Sequence, residues 1–381
     1  MKILFIIHDA SRSGAPLVLL YLMRWLHKNK KDIKMDVLFV RGGVLEKEFK
    51  EVSNSTYNYS KQVGTIDNGT IKRTNIFYRV INKIIRRQKR VRETQFYSKI
   101  ASKNYDLIYA NTIVSVPYGT AIKALAPNVK FLLHVHELQT IITTLLPDFK
   151  KHIPNIDKFI AVSNQVANNL TYKWRINEEL IDVVYACAEV NIEPHKKESD
   201  DFIVGASGLS YWRKGNDVFI QVARYVTKLY PDHNIKFKWV GNEFLDKPII
   251  ESDIEKLGLQ NIVEFTGELS SPNKAYNDFD VFLMTSREDP FPLVCIELAM
   301  LSKPIICFEN ASGSAEVIKK GGGFVVPYLD IESMSEKIVY YYKNRDKLKE
   351  HGENASALFA SFTPENICPQ LADVIHKTLS K

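Results

Sequence analysis

Residues 285–304 read TSREDPFPLVCIELAMLSKP, and most of the chain's candidate chemistry starts from the acids in that string. Glu297 sits in an apolar helical run among Val294, Cys295, Ile296, Leu298 and Ala299. A carboxylate in such company is costly unless it finds a partner. Ribose hydroxyls would be one such partner; a buried structural glutamate is the competing reading. Eight residues upstream, Asp289 lies beside Glu288 in a turn that continues Pro-Phe-Pro. The helix that follows leaves its first amides, those of Leu293 and Val294, free for phosphate oxygens. Acid, amides and acid in that order predict a site reading sugar, phosphate and sugar.

Ligands of parallel α/β sheets bind beyond the carboxyl ends of strands, so the other strand-to-helix turns matter most. In GASGLSYWRKGND (205–217), Arg213 and Lys214 stand at a helix entry. Cations there oppose the helix dipole, a mismatch that a bound anion would remove. Two solvated cations are the alternative. The first turn, HDASRSGAP (8–16), puts Gly14 at a helix start, which suits phosphate or is a plain tight turn. It lacks the GxGxxG fingerprint, which argues against a nicotinamide enzyme. His134 and His136, two apart at a strand end, face one side, with no third metal ligand evident nearby. One is expected to make a polar contact in a cleft and the other to pack. Asp278 and Asp280 have a spacing that can hold a divalent metal, but they lead straight into a strand and read as a helix end and strand start. No metal or cofactor is therefore expected.

The elements that position these residues alternate. Apolar runs at 2–7, 35–40, 106–110, 130–135 and 158–163 predict buried parallel strands, separated by helical patterns such as the stripe Leu17, Leu20, Tyr21, Met23 and Leu26. The alternation breaks at NIEPHKKESDD (191–201) and resumes with strands expected at 202–207, 235–241, 261–267, 280–286 and 303–308. The fold class is α/β, with two tandem Rossmann-like domains. We expect an N-terminal domain over 1–190, a linker over 191–201, a C-terminal domain over 202–362, and a final helix over 363–381 that could cross back to the first domain.

The chain has 381 residues, 45% hydrophobic and 25% charged, which excludes disordered, collagen-like and coiled-coil classes. No apolar run is long enough to span a bilayer, and the short N-terminal run reads as a strand rather than a signal peptide. Cys187, Cys295, Cys307 and Cys368 form no CxxC pair and suit a reducing compartment, so a cytoplasmic location is expected. The net charge of +7 is unevenly spread: residues 72–92 hold nine cations and no acid. Segment 71–92, IKRTNIFYRVINKIIRRQKRVR, has Ile76, Phe77, Val80, Ile81, Ile84, Ile85 and Val91 at helical spacing. It is expected to be an amphipathic helix with a basic face. Such a face can be merely solvated or can touch an anionic membrane, which would make the protein peripheral on the inner face. No nucleic-acid motif accompanies it, and nucleic acid is not an expected partner.

Taken together, these strings resemble the retaining glycosyltransferases of the GT-B fold, family four, the glycosyl transferases group 1 class. The resemblance covers nearly the whole chain and is strongest over 203–327. The family's Glu-x7-Glu string is similar to Ser286–Met300, with Glu297 as the second acid and Asp289, or the adjacent Glu288, in place of the first. Its element of Gly-Arg followed by Lys-Gly resembles Gly208-Leu209 through Arg213-Lys214-Gly215: Lys214 matches, Leu209 replaces the Arg, and Arg213 is the nearby cation. Its G-G-x-x-E resembles Ser312–Glu316, its glycine loop is reduced to Gly14-Ala15, and its His-Asp resembles His136-Glu137.

The resemblance implies a metal-independent hexosyltransferase of polysaccharide biosynthesis. It would use a nucleotide-diphosphate sugar and a glycan or lipid-linked acceptor, with the two domains facing a cleft. Donor-binding residues would be Gly14, Arg213, Lys214, Glu288, Asp289, Leu293, Val294 and Glu297. Catalysis would fall to Asp289, His136 and Lys214. A nucleotide-sugar epimerase-like enzyme and a catalytically inactive sugar-nucleotide-binding partner are the alternatives.

Overall fold

The structure is a computed structural model. It describes all residues except 65–75, 191–196, 198, 199, 233, 243–246, 270 and 381, and gives only the backbone of 76–84. The described residues divide into two units. The first comprises Met1–Ala161, Asn169–Val184 and Cys368–Lys381, and the second Val162–Asn168 and Tyr185–Ile367. Residues 162–168, expected in the first domain, thus group with the second. The final helix, Pro364–Leu379, straddles the division. Most of the expected linker lies outside the described residues.

The first unit is a parallel sheet of β1 (Lys2–Ile7), β2 (Lys34–Phe39), β3 (Ser55–Asn58), β4 (Leu107–Asn111), β5 (Lys130–Val135), β6 (Lys158–Ala161) and β7 (Ile181–Val183). The strand order is β3-β2-β1-β4-β5-β6-β7, and every pairing is parallel. β1 is buried from Ile3 to Ile7, so its continuous apolar run reflects cover on both faces. The helix Gly14–Asn29 contributes Leu20, Tyr21, Met23 and Leu26, four of the five expected stripe residues, to that cover.

The second unit repeats the plan with β8 (Phe202–Ser207), β9 (Ile235–Val240), β10 (Val263–Phe265), β11 (Val281–Met284), β12 (Ile305–Phe308) and β13 (Gly323–Val326), in the order β10-β9-β8-β11-β12-β13. Phe202, Phe219, Phe237, Trp239, Leu283, Ile306 and Tyr341 anchor its core. Each aliphatic or aromatic side chain sealed there stabilises the fold by about 1.5–3 kcal/mol.

In each sheet the strand order reverses at one point, between β1 and β4 and between β8 and β11. The crevice at the carboxyl ends of such a pair is the natural ligand site.

The helix Ile76–Ala101 forms where segment 71–92 predicted one; residues 71–75 lie outside the described residues. Ile85 and Val91 are exposed, as are Arg86, Arg87, Arg90 and Arg92. Both apolar residues of the expected stripe whose side chains are described therefore face outward with the cations. Among the described residues no helix is long and apolar enough to cross a membrane.

Candidate active site

In the second unit the site grows from the ends of β8 and β11. After β8 the chain turns through Gly208, at φ 139°, and enters the helix Asn216–Leu229 through Gly215, at φ 72°. A Cβ on Gly215 would lie 2.2 Å from the Thr285 carbonyl oxygen, so only glycine fits both the left-handed backbone and the space. The close approach is pinned from both sides: Thr285 Oγ1 donates to the Lys214 carbonyl at 3.0 Å, and the Arg287 amide to the Arg213 carbonyl at 2.8 Å. It brings the cations of one turn onto the acid of the other.

Lys214 Nζ donates to Asp289 Oδ2 at 2.5 Å, and an Arg213 guanidinium nitrogen stands 3.7 Å from Oδ1. Asp289 is 5% exposed. Burial by itself would raise its pKa, but the charges of Lys214 and Arg213 outweigh that and hold it below the ordinary carboxylate value. The Asp289 amide donates to the Ala311 carbonyl at 2.7 Å, which fixes the turn against the loop after β12. The Glu288 carbonyl accepts from Arg213 at 3.3 Å. Ser207, Lys214, Trp239, Thr285, Asp289 and Val294 line a recess here.

The helix Leu293–Met300 starts at Pro292, and no side chain caps it. Its Leu293 and Val294 amides are left with the partial positive charge of a helix start. One turn further on, Glu297 has no hydrogen-bond partner among the described residues. Burial pushes its carboxyl pKa up to about 7. It lies near Tyr276, whose phenol is raised first by burial and then by the Glu297 charge. The Tyr276 hydroxyl meets that of Ser207 at 2.7 Å. Thus Arg213, Lys214, Glu288, Asp289, Leu293, Val294 and Glu297 all fall in the second unit, with the first four in mutual contact. Gly14 is in the first unit, where it opens the helix Gly14–Asn29. Sequence reasoning missed Ser207, Tyr276 and Trp239, which sit within ordinary strand and helix patterns and carry no spacing signal.

Glu316, matched to a family acid, accepts from the Gln165 amide at 2.8 Å, from Asn164 Nδ2 at 2.8 Å and from the Tyr185 hydroxyl at 2.7 Å. It caps the short helix Asn164–Asn168. Asp278 closes the helix Asn273–Asp278, and Asp280 precedes β11. The Asp280 carboxylate accepts from the Ile203 amide at 2.7 Å and pairs with Lys197 and Arg345. Among the described residues no three His, Cys, Asp or Glu side chains gather to hold a metal. The four cysteines are buried free thiols.

In the first unit a second cluster forms beyond β1, β4 and β5. The His134 and His136 rings lie 4.1 Å apart, on one side as their spacing predicts. The Tyr109 hydroxyl meets His134 Nδ1 at 2.7 Å, while His134 Nε2 is buried with no hydrogen-bond partner among the described residues. His136 Nε2 lies 3.1 Å from Asn111 Oδ1. Burial and then the neighbouring His8 push the His136 pKa down to about 3, so the ring is neutral. Glu137 accepts from the Ile113 amide at 3.2 Å and the His136 amide at 2.9 Å. Between these contacts Thr112 adopts φ 78°, ψ 158°, a conformation that strains any residue but glycine. Its hydroxyl is 3.1 Å from His8 Nδ1.

Comparison with known proteins places this geometry. HepE of Anabaena, solved in complex with UDP and glucose, superposes with a TM-score of 0.75 over 99% of this chain and 100% of its own, at 19% identity. TarM superposes with a TM-score of 0.71 over 100% of this chain and 99% of its own, at 13% identity. These likenesses show the fold, so the two doubly wound sheets define a protein of the GT-B class. The pattern for glycosyl transferases group 1 matches residues 188–357, and that for glycosyltransferase family 4 matches residues 12–190. The chain belongs to the group 1 glycosyltransferases. Curated relatives include the capsular polysaccharide biosynthesis glycosyltransferase CapM of Staphylococcus aureus, 29% identical over 38% of this chain and 37% of its own length. Another is the lipopolysaccharide core mannosyltransferase LpcC of Rhizobium leguminosarum, 29% identical over 40% of this chain and 44% of its own length. The alignments thus span less than half of these curated relatives.

Proposed function

We propose that the chain transfers a hexose, with retention and without a metal ion, from a nucleoside-diphosphate sugar to a glycan or lipid-linked acceptor in polysaccharide biosynthesis. The observation that carries this reading is the cluster of Lys214, Arg213 and Asp289 beside the uncapped helix that bears Glu297. Lys214, Arg213 and the Leu293 and Val294 amides would take the diphosphate charge that grows as the leaving group departs. Glu297 would hold ribose hydroxyls and Asp289, beside Glu288, the transferred sugar. His136 would contact the sugar or acceptor within the first unit. We read the reaction as a front-face displacement without a covalent intermediate. The acceptor hydroxyl would attack the anomeric carbon from the face the diphosphate leaves, passing its proton to a diphosphate oxygen. The curated relatives CapM and LpcC support the polysaccharide reading, and the bound UDP and glucose of HepE support the donor class.

Donor hydrolysis in EDTA tests the proposal. A panel of nucleoside-diphosphate sugars should contain one that raises the melting temperature and is slowly hydrolysed with the chelator present. A panel without binding would remove the transferase reading, and hydrolysis restored only by manganese would remove metal independence.

The exposed cations of the helix Ile76–Ala101, with Ile85 and Val91 among them, support a membrane-linked acceptor. Each cation near an anionic surface adds about 1 kcal/mol of attraction. The protein should co-sediment with anionic vesicles at low salt and release as salt rises. Replacing Arg86, Arg87, Lys89 and Arg90 by Glu should abolish this. Equal binding to neutral vesicles would remove the membrane reading.

A further inference from the structure

Asn111, the last residue of β4, touches two elements with the two ends of its amide. Its Nδ2 donates to the Ala15 carbonyl at 3.0 Å, and its Oδ1 lies 3.1 Å from His136 Nε2. A carbonyl oxygen only accepts, so the amide nitrogen must face Ala15 and the amide oxygen must face His136. That oxygen in turn only accepts, so the His136 proton must sit on Nε2. Nδ1 is then a bare lone pair on a neutral ring. It has no hydrogen-bond partner among the described residues, and unlike His134 Nε2 it is not a sealed, unpartnered atom. The His134 ring meets the His136 ring at a tilt of 48°, with centroids 4.1 Å apart, and Glu137 accepts from the His136 backbone amide rather than from its ring. What approaches Nδ1 must therefore donate, as a hydroxyl does and a phosphate, carboxylate or carbonyl does not.

We propose that Asn111 is a positioning residue that locks His136 in the Nε2–H tautomer and so makes Nδ1 the acceptor for one sugar hydroxyl. The sugar as ligand rests on the proposed function; the tautomer does not. Because the same amide holds Ala15, the lock also registers the start of the helix Gly14–Asn29 against His136.

Two-bond nitrogen–proton spectra of the full chain labelled with ¹⁵N-histidine read the tautomer directly, with the His136 signals assigned by their loss in His136→Gln. The wild type and Asn111→Asp, which keeps an acceptor oxygen, should both show the Nε2–H pattern. Asn111→Leu should shift towards Nδ1–H and slow sugar transfer about tenfold, with the rate recovered in Asn111→Asp. An Nδ1–H pattern in the wild type overturns the proposal, whether or not the leucine variant folds. So does an unchanged pattern in folded Asn111→Leu. If the Nε2–H pattern is found but no nucleotide sugar binds, the sugar assignment falls and the lock stands.

Discussion

Lys214→Met is expected to destabilise the unliganded protein by about 3 kcal/mol at neutral pH, because it strands a buried acid. Asp289 keeps its charge first through the 2.5 Å contact with Lys214 and second through Arg213 at 3.7 Å, so the variant loses the larger of the two supports. The sign follows from the pKa. Asp289 is held below the ordinary carboxylate value in the fold, so its pairing stabilises fully above the ordinary value and is lost as pH falls from there through the lower folded-state value. The deficit of the variant should therefore shrink in acid. The double variant Lys214→Met with Asp289→Leu removes both charges and should recover most of the stability while still failing to bind the diphosphate. Thermal melts and calorimetry separate the two effects. A single variant melting within about 2 °C of the wild type would show that the pair contributes little.

Glu297→Gln is expected to act in the opposite direction on stability. The carboxyl pKa stands at about 7 in the fold, above its ordinary value of 4.5. The folded state thus holds a proton that the unfolded state releases, and stability falls as pH rises from about 4.5 through about 7. Glutamine carries no such burden. The variant should be more stable than the wild type by about 3 kcal/mol at pH 8 and should gain nothing at pH 4. Donor affinity should move the other way. Two ribose hydroxyls donating to a carboxylate are worth roughly 1.5–3 kcal/mol more than two donating to an amide oxygen, so the variant should bind nucleoside diphosphate about ten- to a hundredfold more weakly at pH 8. Wild-type affinity should rise between pH 6 and pH 8, and the rise should be absent from the variant. A variant with unchanged stability at pH 8, or unchanged affinity, would place Glu297 outside the ribose site.

The sequence made the central strands legible because burial on both faces writes itself as an unbroken apolar run, as in β1, β5 and β8. It hid β3, β7 and β13, which all lie at sheet edges. STYN at 55–58 is mostly polar, IDV at 181–183 is only three residues long, and GFVV at 323–326 begins with a glycine at φ 148°. Edge strands bury little, so their pattern is weak, although the edge strand β10 was expected within 261–267. The site was half legible. Charges out of place, such as Lys214 at a helix entry and Glu297 in an apolar run, flagged themselves by their expected cost. That Lys214 and Asp289, 75 residues apart, neutralise each other depends on the Gly215–Thr285 approach, which no local spacing encodes. Asn111 was invisible for the same reason, since its partners come from two other segments.

The reversal of strand order at β1/β4 and at β8/β11 has an evolutionary consequence. Connections leaving such a pair of strands wind in opposite directions, so they part and leave a gap between them. The location of each gap is inherited from the winding of the backbone, while its chemistry is supplied by interchangeable turns. A lineage built on this scaffold can trade one ligand for another by rewriting HDASRSGAP, GLSYWRKG or SREDPFP and need not relocate the binding place or disturb the strands beneath it.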